Sequence, residues 1–360
     1  MSGLVIESVE ALKPYEAGKP IEEVARELGV TNAVKLASNE NPLGPSPKAI
    51  QAMQQELGSV HRYPDSNQHR LRQRLSEIHG VDARELVLGN GSNEVLELLV
   101  RTFATPEHHI VFAHPSFVVY RMAAMAHGIP FTPVPLSNWQ YDVDALLAAV
   151  TERTRLLFIA NPNNPTGTYI TKPAMSRLLE ELPPQVILVL DEAYIEYVDA
   201  DDFPDGLTLR SLRERLVICR TFSKIFGLAA LRVGYAVLPA QLADYVNRVR
   251  APFNVSSLAQ VAALAALDDQ EHVAHSCSEN QRGRNWLGEQ LTALGLDAIP
   301  SQANFVLVDL GRPASPVYQA LLAKGVIVRP LGPLTNCLRI TVGTREENER
   351  LVASLKEVLG

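Results

Sequence analysis

A lysine at the mouth of a sheet can do chemistry that a lysine on a wet surface cannot. Leu216 to Cys219 is an apolar, β-branched run with the length of a buried strand, and it breaks into a polar turn carrying Ser223 and Lys224. Partial burial disfavours the ammonium form, so the neutral amine of Lys224 is a candidate to attack a carbonyl carbon and form a Schiff base. Arg232 follows eight residues later, beyond Gly227 and just before a second strand-like run, Val233 to Leu238. Ser223 and Arg232 can then hold one anion between them.

Three more features sit where an apolar run ends. Gly89-Asn-Gly-Ser-Asn-Glu94 follows Leu86 to Leu88 and opens a helix, a combination in which glycines let backbone amides approach a phosphate and the helix N-terminus adds partial positive charge. Asn161-Pro-Asn-Asn-Pro-Thr-Gly167 follows Leu156 to Ala160, and its two prolines fix a loop whose Asn side chains can point at a ligand. Asp191-Glu-Ala-Tyr194 follows Val186 to Leu190. A carboxylate there is costly to bury unless it meets a cation such as a protonated ring nitrogen, although alone it reads equally well as a cap. Together the four stretches offer a phosphate cradle, an acid for a pyridinium, donors for a phenolate oxygen and an amine for an aldehyde. Those are the requirements of pyridoxal phosphate.

The elements that must position these groups alternate along the chain. Apolar runs at Leu86–Leu88, Ile110–Ala113, Leu156–Ala160, Val186–Leu190 and Leu216–Cys219 are separated by segments of helical period, Glu94–Phe103 and Phe117–Ala126 among them. This repetition predicts an α/β fold with a mostly parallel sheet covered on both faces by helices. After about Pro239 helical patterns at Gln241–Arg250, Ser256–Leu267 and Glu271–Leu294 lead into short strands at Asn304–Asp309, Val326–Arg329 and Leu338–Val342, expected to form a smaller α+β lobe. Upstream, Ile21–Leu28 reads as a short helix ended by Gly29, and Leu36 to Pro47 as a shaped loop rich in Asn, Pro and Gly. The expected division is 1–40 as an N-terminal arm and part of the small domain, 41–250 as the large domain, and 251–360 as the small C-terminal domain.

Composition narrows the partners. With 46% hydrophobic and 20% charged residues over 360 positions and a net charge of −7, the chain reads as globular, and no basic cluster offers a nucleic-acid surface. No apolar run has the length of a membrane span and the N-terminus lacks the pattern of a signal peptide. The three cysteines, an odd and widely spaced set, read as free thiols in a reducing compartment, hence a cytoplasmic location, and no metal site is expected.

From Leu12-Lys-Pro-Tyr15 to Cys337-Leu-Arg-Ile-Thr-Val-Gly343, the motifs in this order resemble the histidinol-phosphate aminotransferase family of fold-type I pyridoxal-phosphate aminotransferases. The resemblance implies that Lys224 joins the cofactor aldehyde and, once released, shuttles the proton. It implies that Asp191 pairs with the pyridinium, and that Asn164 and Tyr194 bond the phenolic oxygen. Phe117, after His114-Pro-Ser, matches the aromatic stacked on the ring; Gly91, Ser92, Asn93, Ser223 and Arg232 match the phosphate shell. Tyr63 matches a tyrosine that reaches the phosphate of the neighbouring subunit, which implies a homodimer with shared sites. Arg339 matches the arginine that grips an α-carboxylate, with Arg329 as a second grip and Tyr15 and Asn39 or Glu40 on the substrate side. Phe253 stands where certain relatives carry a tyrosine. The implied substrates are histidinol phosphate and 2-oxoglutarate or glutamate; alternatives on the same scaffold are an aromatic amino-acid aminotransferase and a threonine-phosphate decarboxylase. A non-catalytic ligand-binding regulatory module is a further alternative, against which every cofactor position is filled by a competent residue.

Overall fold

The computed structural model of the chain describes residues 4–14, 18–30 and 32–360. A two-residue strand, β1 (Val34–Lys35), precedes the seven strands of the large sheet: β2 (Leu86–Gly89), β3 (His109–His114), β4 (Phe131–Pro135), β5 (Thr154–Ala160), β6 (Ile187–Asp191), β7 (Leu216–Thr221) and β8 (Gly234–Val237). Their order is β2-β8-β7-β6-β5-β3-β4. Strands β3 to β7 are mutually parallel, and β8 runs antiparallel to β2 and β7.

The strands read as continuous apolar runs because both faces of the sheet are covered. Successive residues enter different cores: Val189 and Val217 pack with Val95 and Leu99 of the helix Gly91–Phe103, while Leu188, Leu190 and Ile218 pack with Met175 and Leu178 of the helix Lys172–Glu181. Among the strand boundaries that differ from the hydrophobic reading, two are extended by buried polar residues. β6 runs on to include Asp191, and β7 runs on through Arg220, whose guanidinium is buried against Glu192. The helix expected from Glu94 starts at Gly91, since its first turn is Gly-Ser-Asn and carries no apolar period. The edge strand β4, not anticipated, contains Pro133 and Pro135, which an edge tolerates because it leaves one side of the backbone unpaired.

The C-terminal sheet is antiparallel, with β9 (Asp297–Ile299), β10 (Phe305–Asp309), β12 (Arg329–Leu331) and β13 (Leu334–Thr341) in the order β12-β13-β10-β9. The strand expected over Val326–Arg329 is divided. Its first part, β11 (Val326–Ile327), pairs in parallel with β1, so the N-terminal segment is knitted to the C-terminal lobe. Its second part, β12, pairs with β13 and sets Arg329 opposite Arg339. The helix Ser257–Leu267, beyond the expected boundary at 250/251, packs Ala259, Ala262 and Ala263 into the same core as Ala49, Leu86 and Leu88.

Candidate active site

Parallel strands that end in register present their following loops at one edge. Ala160, Asp191 and Cys219 are neighbours across β5, β6 and β7, so the segments carrying Asn164, Tyr194 and Lys224 converge there. Those residues, with Asn39, Ser92, Asn93, Phe117, Asp191, Ser223, Arg232 and Arg339, line one cavity of about 310 Å³.

The amine and the acid are both shifted by burial. Lys224 Nζ donates to Ser38 O at 3.2 Å and lies 5.6 Å from the centre of the Tyr194 ring. Desolvation, with the guanidinium of Arg339 next, pushes its pKa down to about 7, leaving a substantial neutral fraction near neutral pH. Asp191 is 3% exposed. Its Oδ2 accepts from the Tyr120 hydroxyl at 2.8 Å, and Oδ1 has no hydrogen-bond partner among the described residues. Burial raises this carboxyl to about 6 against the opposing hydrogen bond from Tyr120. A buried oxygen in that condition calls for a cation or a donor.

The anion cradle depends on close backbone approach. Gly91 has φ of +77°, and a Cβ there would stand 2.3 Å from Arg232 Nη2; one on Gly234 would stand 2.4 Å from Ser92 N. The glycines therefore let the first turn of Gly91–Phe103, the Ser223 turn and the Arg232 guanidinium close on one point. Arg232 Nη1 donates to Ala229 O at 3.0 Å and Ser223 Oγ at 3.3 Å, which fixes its fork.

A second network ties the two lobes. Asn39 Nδ2 and Asn164 Nδ2 donate to the Tyr194 hydroxyl at 2.9 and 3.4 Å. Arg339, on β13, donates from Nη1 to Asn164 Oδ1 at 2.6 Å and from Nη2 to Ala37 O at 2.7 Å, with its guanidinium 5.4 Å from the Phe305 ring centre. Arg329 lines an adjoining chamber of about 470 Å³ that shares Phe117, Met122, Asn164 and Arg339 with the first cavity.

Of the other expected residues, not all reach the cavity. Asn39 faces the cavity and Glu40 does not: its carboxylate pairs with Lys35 Nζ at 2.8 Å. Tyr63 is 83% exposed and stacks on Phe253 with centroids 4.6 Å apart, away from the cavity of its own chain. Tyr15 lies outside the described residues. Sequence reasoning missed Tyr120, although it follows Phe117 by three positions and so shares its side of the helix Val118–Ala126. It also missed the buried pair Glu192–Arg220, at 2.8 Å, behind the Asp191 turn.

The large mixed sheet, the strand-end amine and acid, and the small antiparallel lobe define the fold-type I architecture of pyridoxal-phosphate aminotransferases. The chain belongs to the aminotransferase class I and II family, which matches residues 31–355. It is 50% identical over 355 residues to histidinol-phosphate aminotransferase 2 of Pseudomonas aeruginosa, covering 98% of this chain and 96% of that one. It is 48% identical over 356 residues to histidinol-phosphate aminotransferase of Moorella thermoacetica, covering 98% and 92%. Among solved structures, that of histidinol-phosphate aminotransferase from Sinorhizobium meliloti in complex with pyridoxal-5'-phosphate superposes with a TM-score of 0.91 at 29% identity, covering 99% of this chain and 98% of that one.

Proposed function

We propose that this chain is a pyridoxal-phosphate-dependent histidinol-phosphate aminotransferase of histidine biosynthesis, converting L-histidinol phosphate and 2-oxoglutarate to imidazole-acetol phosphate and glutamate. The observation that carries the reading is the pairing, on one cavity, of a carboxylate oxygen lacking a partner at Asp191 with an amine of pKa about 7 at Lys224. The near full-length likeness to relatives of that name supports the substrate.

The residues present fit the cofactor. Oδ1 of Asp191 lacks the partner that a protonated ring nitrogen provides, and the cradle at Gly91 would be filled by a single Cβ. When bound, pyridoxal phosphate supplies an aldehyde that takes up the amino group and a protonated ring that draws electrons from the Cα–H bond. Lys224 Nζ would hold the cofactor's aldehyde carbon and, as a free amine, would carry the proton from the substrate Cα. Asp191 keeps its charge beside the ring nitrogen. Asn164 and Tyr194 would donate to the phenolic oxygen, and Phe117 would cover one ring face. Gly91, Ser92, Asn93, Ser223 and Arg232 hold the phosphate.

Both amino donors carry an anion far from the reacting carbon, a phosphate in one and a carboxylate in the other. Arg339 and Arg329, on adjacent strands beside the chamber, are suited to either anion. Met122, Met125 and Leu331 give the same chamber apolar wall for an imidazole ring. Tyr15 and Asn39 belong to the substrate side of this reading.

The working form is a homodimer. An exposed aromatic pair, Tyr63 and Phe253, with exposed Leu57 and Val60 nearby in sequence, is an apolar surface that a second copy would cover, bringing Tyr63 to the neighbouring cofactor phosphate. A cytoplasmic location is supported by the free thiols Cys219, Cys277 and Cys337, and no helix among the described residues is long and apolar enough to cross a membrane. The chain divides into a large cofactor lobe and a smaller C-terminal lobe joined by the N-terminal segment through β1, with the packing of Ser257–Leu267 supporting a boundary beyond 267.

Half-reaction titration tests the assignment. Holoenzyme mixed with histidinol phosphate, phenylalanine or threonine phosphate should convert its cofactor absorbance to that of pyridoxamine fastest with histidinol phosphate. Rapid conversion by phenylalanine with none by histidinol phosphate would overturn the substrate.

A further inference from the structure

The carboxylate at the end of β6 has a single side-chain hydrogen-bond partner among the described residues. Oδ2 of Asp191 is fixed by the Tyr120 hydroxyl at 2.8 Å, whereas Oδ1 is left without a partner. A carboxyl group turns about its Cβ–Cγ bond unless one oxygen is anchored, and here the anchor is itself immobile. Tyr120 is fully buried, with its ring stacked on Phe158 at 4.9 Å and 13° and edge-on to Phe117 at 5.8 Å and 86°. Phe117 and Tyr120 come from one turn at the start of Val118–Ala126, so a single helical turn fixes both the aromatic lining the cavity and the group that orients the acid beneath it.

The titratable groups around Asp191 are Tyr120 from this helix, Tyr141 from the segment before the helix Val143–Ala148, Cys219 from β7 and Lys224 from the turn after it. Of these, Tyr120 alone makes a side-chain hydrogen bond to the carboxylate, and Lys224 donates instead to Ser38 O. Burial favours the protonated acid; the Tyr120 phenol opposes it most, with the backbone N–H of Ala193 and the charge of Lys224 acting in the same sense. A protonated Asp191 could not serve as the counter-ion of a pyridinium.

We propose that Tyr120 is a positioning residue for the cofactor acid: its hydroxyl anchors Oδ2 of Asp191, keeps the carboxylate ionised, and leaves Oδ1 as the oxygen available to a ring nitrogen in the cavity. The inference rests on the reading of this cavity as the pyridoxal-phosphate site.

The experiment titrates cofactor-free protein with pyridoxal phosphate labelled with nitrogen-15 in the ring, and follows both affinity and the ring-nitrogen resonance against pH. Tyr120→Phe keeps the ring and its packing; it should weaken binding about tenfold, the scale of a lost hydrogen bond to a charged group, and the resonance should leave its protonated position at lower pH than in wild type. In an Asp191→Asn background the same change should alter affinity by less than about twofold, because the charged carboxylate through which Tyr120 acts is already gone. An unmoved resonance in Tyr120→Phe, or a loss additive to that of Asp191→Asn, would overturn the role. Where the Phe variant does not fold, fluorotyrosine at position 120, a stronger donor of nearly the same shape, must shift the resonance; no shift would equally overturn it. Absence of saturable cofactor binding by the wild type would overturn the cavity reading itself, and the inference with it.

Discussion

The floor of the cavity and the chamber beside it are built on different principles. The floor is assembled from the ends of β5, β6 and β7, whose register across the sheet sets the relative positions of Asn164, Asp191 and Lys224 before any ligand arrives. Asp191 is buried and Asn164 and Lys224 are half-buried, and each makes at least one hydrogen bond within the chain. The chamber is assembled from Lys13 of the N-terminal segment, His114 and Arg121 around one helix, and Arg329 and Arg339 of the small sheet. Several of these side chains are partly or fully exposed, and they meet across two lobes. On the proposed reading, the chemistry that any amino donor requires is fixed on the sheet, and the choice among donors is delegated to segments that can change without disturbing it.

Removing the amine should have the largest effect. Lys224→Ala should lower turnover by about a thousandfold or more, since on the proposed reading it deletes both the covalent anchor and the proton carrier. Cofactor should remain bound through the cradle, which dialysis followed by absorbance would show. A variant retaining half of wild-type turnover would break the contrast between floor and chamber outright.

A smaller effect is expected at the chamber. Arg339→Lys should reduce kcat/KM about a hundredfold for histidinol phosphate and for glutamate alike, because a point charge replaces a fork that also braces Asn164. Arg329→Lys should reduce it about tenfold. Steady-state kinetics with both donors sharpens the comparison. A larger loss at Arg329 than at Arg339 would reverse the roles given to the two strands.

The floor was largely legible in the sequence because each of its residues follows an apolar run, and a polar residue at the end of a buried strand has few bland explanations. Asp191 and Lys224 could be read that way from position alone. What escaped was held by contacts between distant segments. Tyr120 reads as one more core aromatic on its helix until Asp191 is placed 2.8 Å away across 71 residues. Arg220 and Glu192 look like strand-end surface charges until they are found paired at 8% and 0% side-chain exposure. The resemblance offers Asn39 or Glu40 on the substrate side without choosing between them, and only Asn39 lines the cavity. The left-handed backbone at Asn39, with φ of 55°, turns that side chain inward and leaves Glu40 to Lys35. The prolines of β4 hid an edge strand for a related reason, since only the sheet order shows that it lies at the rim.

The smallest expected effect is on the stability of the cofactor-free protein. Asp191 is raised to about 6 in the folded chain, against about 3.9 when unfolded. Between those values the folded state binds more protons, so this group's contribution is complete below about pH 4 and is lost as pH rises through about 6. Lys224 acts in the opposite sense and elsewhere. Lowered to about 7, it adds stability only as pH climbs from there toward about 10.4. Glu192 and Glu196, each raised to about 7, share the sign of Asp191, so the wild-type slope alone does not isolate it. Asp191→Asn does: urea unfolding at pH 4.5 and 6.5 should show the variant losing less stability over that interval than wild type, by on the order of 2 kcal/mol. Equal losses in the two proteins would mean that Asp191 is already ionised at the lower pH. The acid under the cavity would then be solvated, and the floor would share the openness of the chamber.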